Sequence, residues 1–147
     1  VSLVKRISLL KAEEAYKNYK EHLIIAADTI LYSRKKFFHK TEDKGQAYNY
    51  LKLLSGKRHI IFTGLTIIDS NYKKYFYLTK TLIKFKVLKE NDINKYLILD
   101  EWKNKTGSYA IQGYGAIFIN FLAGSFSGAV GLPLEKLHHV LREKKIL

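Results

Sequence analysis

The sequence predicts an α/β fold with a mixed sheet, and three observations carry that expectation. Segments with apolar residues at helical spacing alternate with apolar, β-branched runs. The resulting order is helix, strand, helix, strand pair, helix, strand, helix. Cap and turn residues punctuate the boundaries, and no internal repeat or low-complexity segment interrupts them.

Leu3 to Tyr19 is expected as an amphipathic helix, with Leu3, Ile7 and Leu10 on one stripe and Ala12, Ala15, Tyr16 and Tyr19 extending it. HLIIAADTIL, from His22 to Leu31, reads as a buried strand holding one acid, and Phe37 to His39 as a short return strand. Asp43 and Gln46 have capping-box spacing. Ala47, Tyr50, Leu51 and Leu54 then follow helical periodicity until Ser55-Gly56 stops it. His59 to Asp69 and Tyr72 to Lys86 predict two strands paired antiparallel across a turn at Asn71. Asn91 or Asp92 is expected to cap a short helix carrying Ile93, Tyr96 and Leu97. After a loop from Trp102 to Ser108, YAIQGYGAIFINFLAGSF is expected to be mostly strand, interrupted by glycines. The last helix starts at Pro133, with Leu134, Leu137, His138 and Leu141 as its inner stripe.

Composition narrows the function. Cysteine is absent, which excludes disulfides, thiolate metal sites and cysteine nucleophiles. No apolar run is long enough to span a bilayer and no secretion signal opens the chain, so no membrane partner and a cytoplasmic location are expected. Met is absent even at position 1, so the start was processed or the sequence is a fragment. The net charge of +13 raises nucleic acid as a partner. The cations are nearly all Lys, with Arg only at 6, 34, 58 and 142, and Arg is the residue suited to bidentate phosphate and base contacts. No dedicated nucleic-acid binding is therefore expected, although a basic field attracts triphosphates.

Asp28 stands inside a run that otherwise favours burial, where an ionised carboxylate is costly unless paired or metal-bound. The alternative is an acid at the solvent-facing end of a strand. Lys40 offers positive charge for a leaving phosphate, or is one more surface lysine. Glycines crowd the region from Gly107 to Gly131 around Gln112, an amide able to donate and accept, but no Walker-type loop occurs. His59, His138 and His139 show no zinc spacing; His138 is expected in the core, His22 and His39 on the surface. Trp102 and the eleven tyrosines are expected as packing.

Four stretches in order carry a resemblance. RISLLKAEEA resembles the first helix, with its Lys-Ala pair, of the Maf family of nucleoside triphosphate pyrophosphatases. AADTILYSRKKFFHKTED resembles that family's Asp-Thr strand, hairpin and Gly-Lys-Pro-x-Asp segment. YLKLLSGKRHIIFTGLTIID resembles its Leu-Ser-Gly-x-x-His strand entry, and TGSYAIQGYGAIFINFLAGSFSGAVGLPL its Gly-x-Tyr-x-Ile-Gln-Gly and Val-Gly-Leu-Pro-Leu segments. The resemblance implies a single Maf-like domain over residues 1–147: an elongated twisted sheet flanked by helices, two-lobed with a central cleft.

It further implies hydrolysis of dTTP or UTP to the monophosphate and pyrophosphate, with a nucleoside triphosphate as partner and a homodimer left open. Asp28 matches the catalytic acid, which binds a divalent metal or activates water. Lys11 and Lys40 match phosphate-side lysines, and Gln112 the substrate-site glutamine. Thr29, after the acid, is implied as a further substrate- or phosphate-binding residue and matches the dTTP/UTP branch; a sister branch acting on 7-methyl-GTP has Gln there. The implied cofactor is Mg²⁺ or Mn²⁺. The sequence departs from the pattern in three ways. The family's N-terminal strand with its Ser-x-Ser-Pro-Arg-Arg phosphate-binding loop, and a downstream Glu near the metal, have no counterpart in it. Lys40 is flanked by His39 and Thr41 instead of Gly and Pro, losing the proline's rigid turn. Ser8 replaces an Ala. These departures set weak activity, or a catalytically impaired nucleotide-binding or septum-related role, beside the enzyme reading.

Overall fold

A computed structural model describes residues 1–147. The elements in chain order are α1 (Ser2–Asn18), β1 (Ile24–Ser33), β2 (Lys36–Phe38), α2 (Lys44–Leu54), β3 (Arg58–Ile68), β4 (Lys74–Phe85), α3 (Glu90–Ile98), a 3-10 turn (Tyr114–Phe118), β5 (Ile119–Ala123), α4 (Phe126–Val130) and α5 (Leu134–Glu143). No helix is long and apolar enough to cross a membrane. The strands form one five-stranded sheet in the order β2-β1-β3-β4-β5, flanked by helices.

The α/β class is as the sequence predicts, but the pairing is antiparallel where a mixed sheet was expected. β1 pairs antiparallel with β2, and β4 with β5. Opposed running of β1 and β3 follows from the side chains that meet: Thr29 lies against Thr63, and Ser33 bonds to Arg58. The cause is the turn at Arg34 and Lys35, both at positive φ. It reverses the chain through β2 before α2 begins, so β3 enters opposite in direction to β1.

The chain divides into two compact units: Val1–Thr29 with Phe62–Lys80 and Ser125–Leu147, and Ile30–Ile61 with Thr81–Gly124. In the first, α1 covers one sheet face and α5 the other. Ala12, Ile24 and Ile68 form the core under α1; Leu65, Ile67 and Val140 form the core under α5. Alternation along the strands makes this possible, because successive side chains of a strand point to opposite faces. The buried stripe of α1 is Val4, Ser8 and Ala12, while Leu10 is exposed, so the stripe expected from Leu3, Ile7 and Leu10 is rotated. The rotation has a polar cause. Ser8 is fully buried and shares a 2.8 Å hydrogen bond with Thr66 of β3.

In the second unit α2 buries Ala47, Leu51 and Leu54 as predicted, and Asp43 caps it by accepting from the Gln46 amide at 2.5 Å. α3 begins at Glu90, ahead of the expected caps; Asp92 instead reaches back to accept from the Lys89 amide. Trp102 is buried and donates to Leu97 O at 3.1 Å. The long strand expected from Tyr109 is not formed; only Ile119–Ala123 is extended. The Glu101 carboxylate accepts from the amides of Tyr114 (3.1 Å) and Gly115 (2.8 Å), which withdraws both donors from any ladder. In the first unit Ser125 likewise accepts from the Gly128 amide and starts α4.

Candidate active site

Asp28 lies on the α1 face of β1. Small residues share that face: Ala26 and Ala15 both pack against the cluster of Ala12, Ile24 and Ile68. Gly64 of β3 has the same effect, since a Cβ there would lie 3.1 Å from Val4 O and 3.2 Å from Ser8 Oγ. Helix and sheet therefore approach closely. Lys11 stands one turn beyond Ser8 and beside Ala12, at the margin of the buried stripe. Its ammonium reaches Asp28 Oδ1 in a direct ion pair. The carboxylate is 13% exposed and the lysine 50%. An open pair of this kind stabilises the fold by only ~0–1 kcal/mol, so the lysine can turn to another anion at little cost.

Thr29, next in the strand, faces the other way. Its hydroxyl meets Thr63 Oγ1 at 2.9 Å, and Thr63 donates to Gly128 O at 2.6 Å. The structure thus brings Lys11 and Asp28 together and sets the Thr29 side chain on the opposite face of the strand. Thr63 is a residue that sequence reasoning passed over. Its only signal was a threonine beside a strand glycine in FTG.

Lys40 and Gln112 both belong to the second unit, and both are exposed. Lys40 precedes a turn that does without proline: Thr41 Oγ1 accepts from the Asp43 amide at 3.0 Å, and Thr41 O accepts from Asn104 N at 3.2 Å. Gln112 projects from a rigid turn. Tyr96 Oη accepts from the Ala110 amide at 3.0 Å, and Glu101 holds the residues after Gly113. Gly115 is required by close approach, since a Cβ would sit 2.7 Å from the backbone oxygen of Ala110, and a Cβ at Gly113 would displace the Glu101 carboxylate. Gly107 adds a positive φ of 75°.

The histidines take no part in a metal cluster, and no group of three or more His, Asp or Glu side chains is placed to hold an ion by itself. His138 is exposed, a correction to the core position expected for it, because α5 turns Val140 inward instead. His22 and His39 are exposed as expected. His59 is buried, with Nε2 at 2.7 Å from Tyr109 Oη. Burial lowers its pKa to about 4, so the ring is neutral near pH 7.

The arrangement supplies one carboxylate, a half-exposed ammonium beside it and a strand hydrogen-bonded on its other face, which suits chemistry on a phosphorylated ligand. Similar proteins point the same way. A dTTP/UTP pyrophosphatase of Zymomonas mobilis subsp. mobilis is 40% identical over 138 residues, 94% of this chain and 68% of its own length. One of Bacillus anthracis is 35% identical over 144 residues, covering 98% of this chain and 75% of the relative. One of Wolbachia sp. subsp. Drosophila simulans is 34% identical over 137 residues, covering 92% and 69%. The sequence profile described as Maf-like protein matches residues 1–144, and on these grounds the chain belongs to the Maf family.

Proposed function

We propose that this chain is a nucleoside triphosphate pyrophosphatase that hydrolyses dTTP and UTP to the monophosphate and pyrophosphate. The observation that carries the reading is the Lys11–Asp28 ion pair, formed by the two residues that the sequence resemblance gives as a lysine and an acid of the site. Water attacks the α-phosphorus, a new P–O bond forms, and the α–β anhydride bond breaks with its electron pair leaving on pyrophosphate. The proton released by the water passes to the Asp28 carboxylate. Lys11, freed from Asp28, donates to phosphate oxygens and neutralises charge as the leaving group departs. The sequence resemblance gives Lys40 and Gln112, in the second unit, as further binding groups, for phosphate and for the nucleotide. Thr29 contributes through its place beside Asp28.

A single carboxylate fits Mg²⁺ or Mn²⁺, since such ions take one or two carboxylates and complete their shell with water and phosphate oxygens. Asp28 is the residue that would hold the ion, which supplies charge neutralisation when bound. The test is pyrophosphate release by the purified chain from UTP, dTTP, GTP and 7-methyl-GTP, with Mg²⁺ or Mn²⁺ present. Turnover of UTP and dTTP well above the purine substrates is expected. Absence of turnover on every substrate would overturn the proposal.

A further inference from the structure

The hydroxyl chain behind Asp28 has only one self-consistent direction. Gly128 O is a carbonyl and can only accept, so at 2.6 Å the Thr63 proton is spent on it. Thr63 Oγ1 has a single proton, so in its 2.9 Å bond with Thr29 it must be the acceptor and Thr29 the donor. The order is therefore Thr29 to Thr63 to Gly128. Thr63 is fully buried, and water does not substitute for either bond without rearrangement. The far end is fixed as well. A Cβ on Gly128 would lie 2.5 Å from Thr79 Oγ1 and 2.9 Å from Ser125 Oγ, so this backbone sits where only glycine fits. The Gly128 amide is itself held by Ser125 Oγ at 2.9 Å.

We infer that Thr63 is a positioning residue for the reaction, acting through Thr29 on the strand that carries Asp28. Asp28 and Thr29 share a peptide unit and point to opposite faces. Anchoring Thr29 from the α4 side therefore fixes the backbone from which the carboxylate projects on the α1 side.

The inference rests on the proposed pyrophosphatase reading, and its test separates the two. Thr63→Val keeps the shape and removes both bonds; Thr63→Ser keeps the hydroxyl. With dTTP as substrate, Thr63→Val is expected to lower kcat about tenfold with KM nearly unchanged, and Thr63→Ser to restore most of it. In parallel, amide hydrogen exchange from Asp28 to Ile30 is expected to quicken in the Val variant at a pH and temperature where both variants remain folded, and to stay slow in the Ser variant. Unchanged kcat in Thr63→Val, or equal losses in Val and Ser, overturns the inference. If the parent chain turns over no nucleotide, the pyrophosphatase reading has failed, and the exchange measurement still decides whether Thr63 anchors the strand.

Discussion

The two compact units bury their polar groups on different terms. In the first, hydroxyls are wired to one another and to backbone: Ser8 with Thr66, and Thr29 through Thr63 to Gly128. In the second, polar atoms are walled in by rings. His59 and Tyr109 bond to each other with Phe85 edge-on to both, and Phe118 packs on Phe85 and Tyr96. His59 Nδ1 and Ser108 Oγ are buried there without a partner. The difference teaches where stability and function part. Hydroxyl wiring fixes direction and holds Asp28 steady, with modest free energy per bond. Ring packing buries much area and supplies stability, and it tolerates a neutral imidazole only while that imidazole stays neutral.

The largest effect that would break this contrast is at Asp28. Asp28→Asn keeps shape and removes the charge. Turnover of dTTP is expected to fall by about 10²–10⁴, the range typical of losing a general base. The melting temperature is expected to stay close to that of the parent, since the lysine it leaves unpaired is half exposed to water. A steep loss of stability with turnover intact would place the first unit's polar groups among structural ones.

Phe118→Ala is the converse. The ring is fully buried between Phe85 and Tyr96, at centroid distances of 5.8 and 5.0 Å. Removing it is expected to destabilise the fold by about 3–5 kcal/mol in urea unfolding. Turnover per molecule that remains folded is expected to stay near the parent value.

The buried imidazole sharpens the comparison through pH. His59 has a folded-state pKa near 4 against an ordinary 6.5, because burial opposes its charged form. A depressed histidine pKa means the unfolded chain binds the extra proton first. Its contribution is therefore present above about pH 6.5 and lost as pH falls toward 4, by roughly 3 kcal/mol in all. Below about pH 4 this group adds no further slope. The Tyr109 phenol is pushed up by its own burial and stays neutral throughout that window. Urea unfolding between pH 4 and 7 checks this, with His59→Phe expected to flatten the acid limb relative to the parent.

These results also show what was legible in the sequence. Period and caps located α1, α2, α5, β1, β3 and β4, because those signals are local: Asp43 does cap α2, and Ala47, Leu51 and Leu54 do face inward. The Tyr109 to Phe126 stretch was misread because its fate rests on Glu101, a carboxylate distant in sequence that takes two of its amides. The α1 stripe was misread because a buried serine looks polar until Thr66 is seen opposite it. At the candidate site, the ordered resemblance singled out Asp28 and Lys11, and the structure brings those two into an ion pair. Thr63 was not, since a hydroxyl's worth depends on which carbonyl it finds.

The smallest prediction concerns the turn that follows Lys40. Proline would hold the following turn by fixing φ; Thr41 holds it by a side-chain bond to the Asp43 amide instead. Thr41→Val removes that bond and little else, because the backbone bond from Asn104 to Thr41 O remains. The Asp43 amide is near solvent and can find water, so the cost in unfolding measurements is expected to be about 1 kcal/mol. If the turn matters by placing Lys40 for phosphate, KM for dTTP rises by a factor of no more than about five, the equivalent of that free energy, while kcat holds. A change in kcat without a change in KM would mean the turn acts on the chemical step, and Lys40 would then belong with Asp28 and Lys11 instead of with the binding groups.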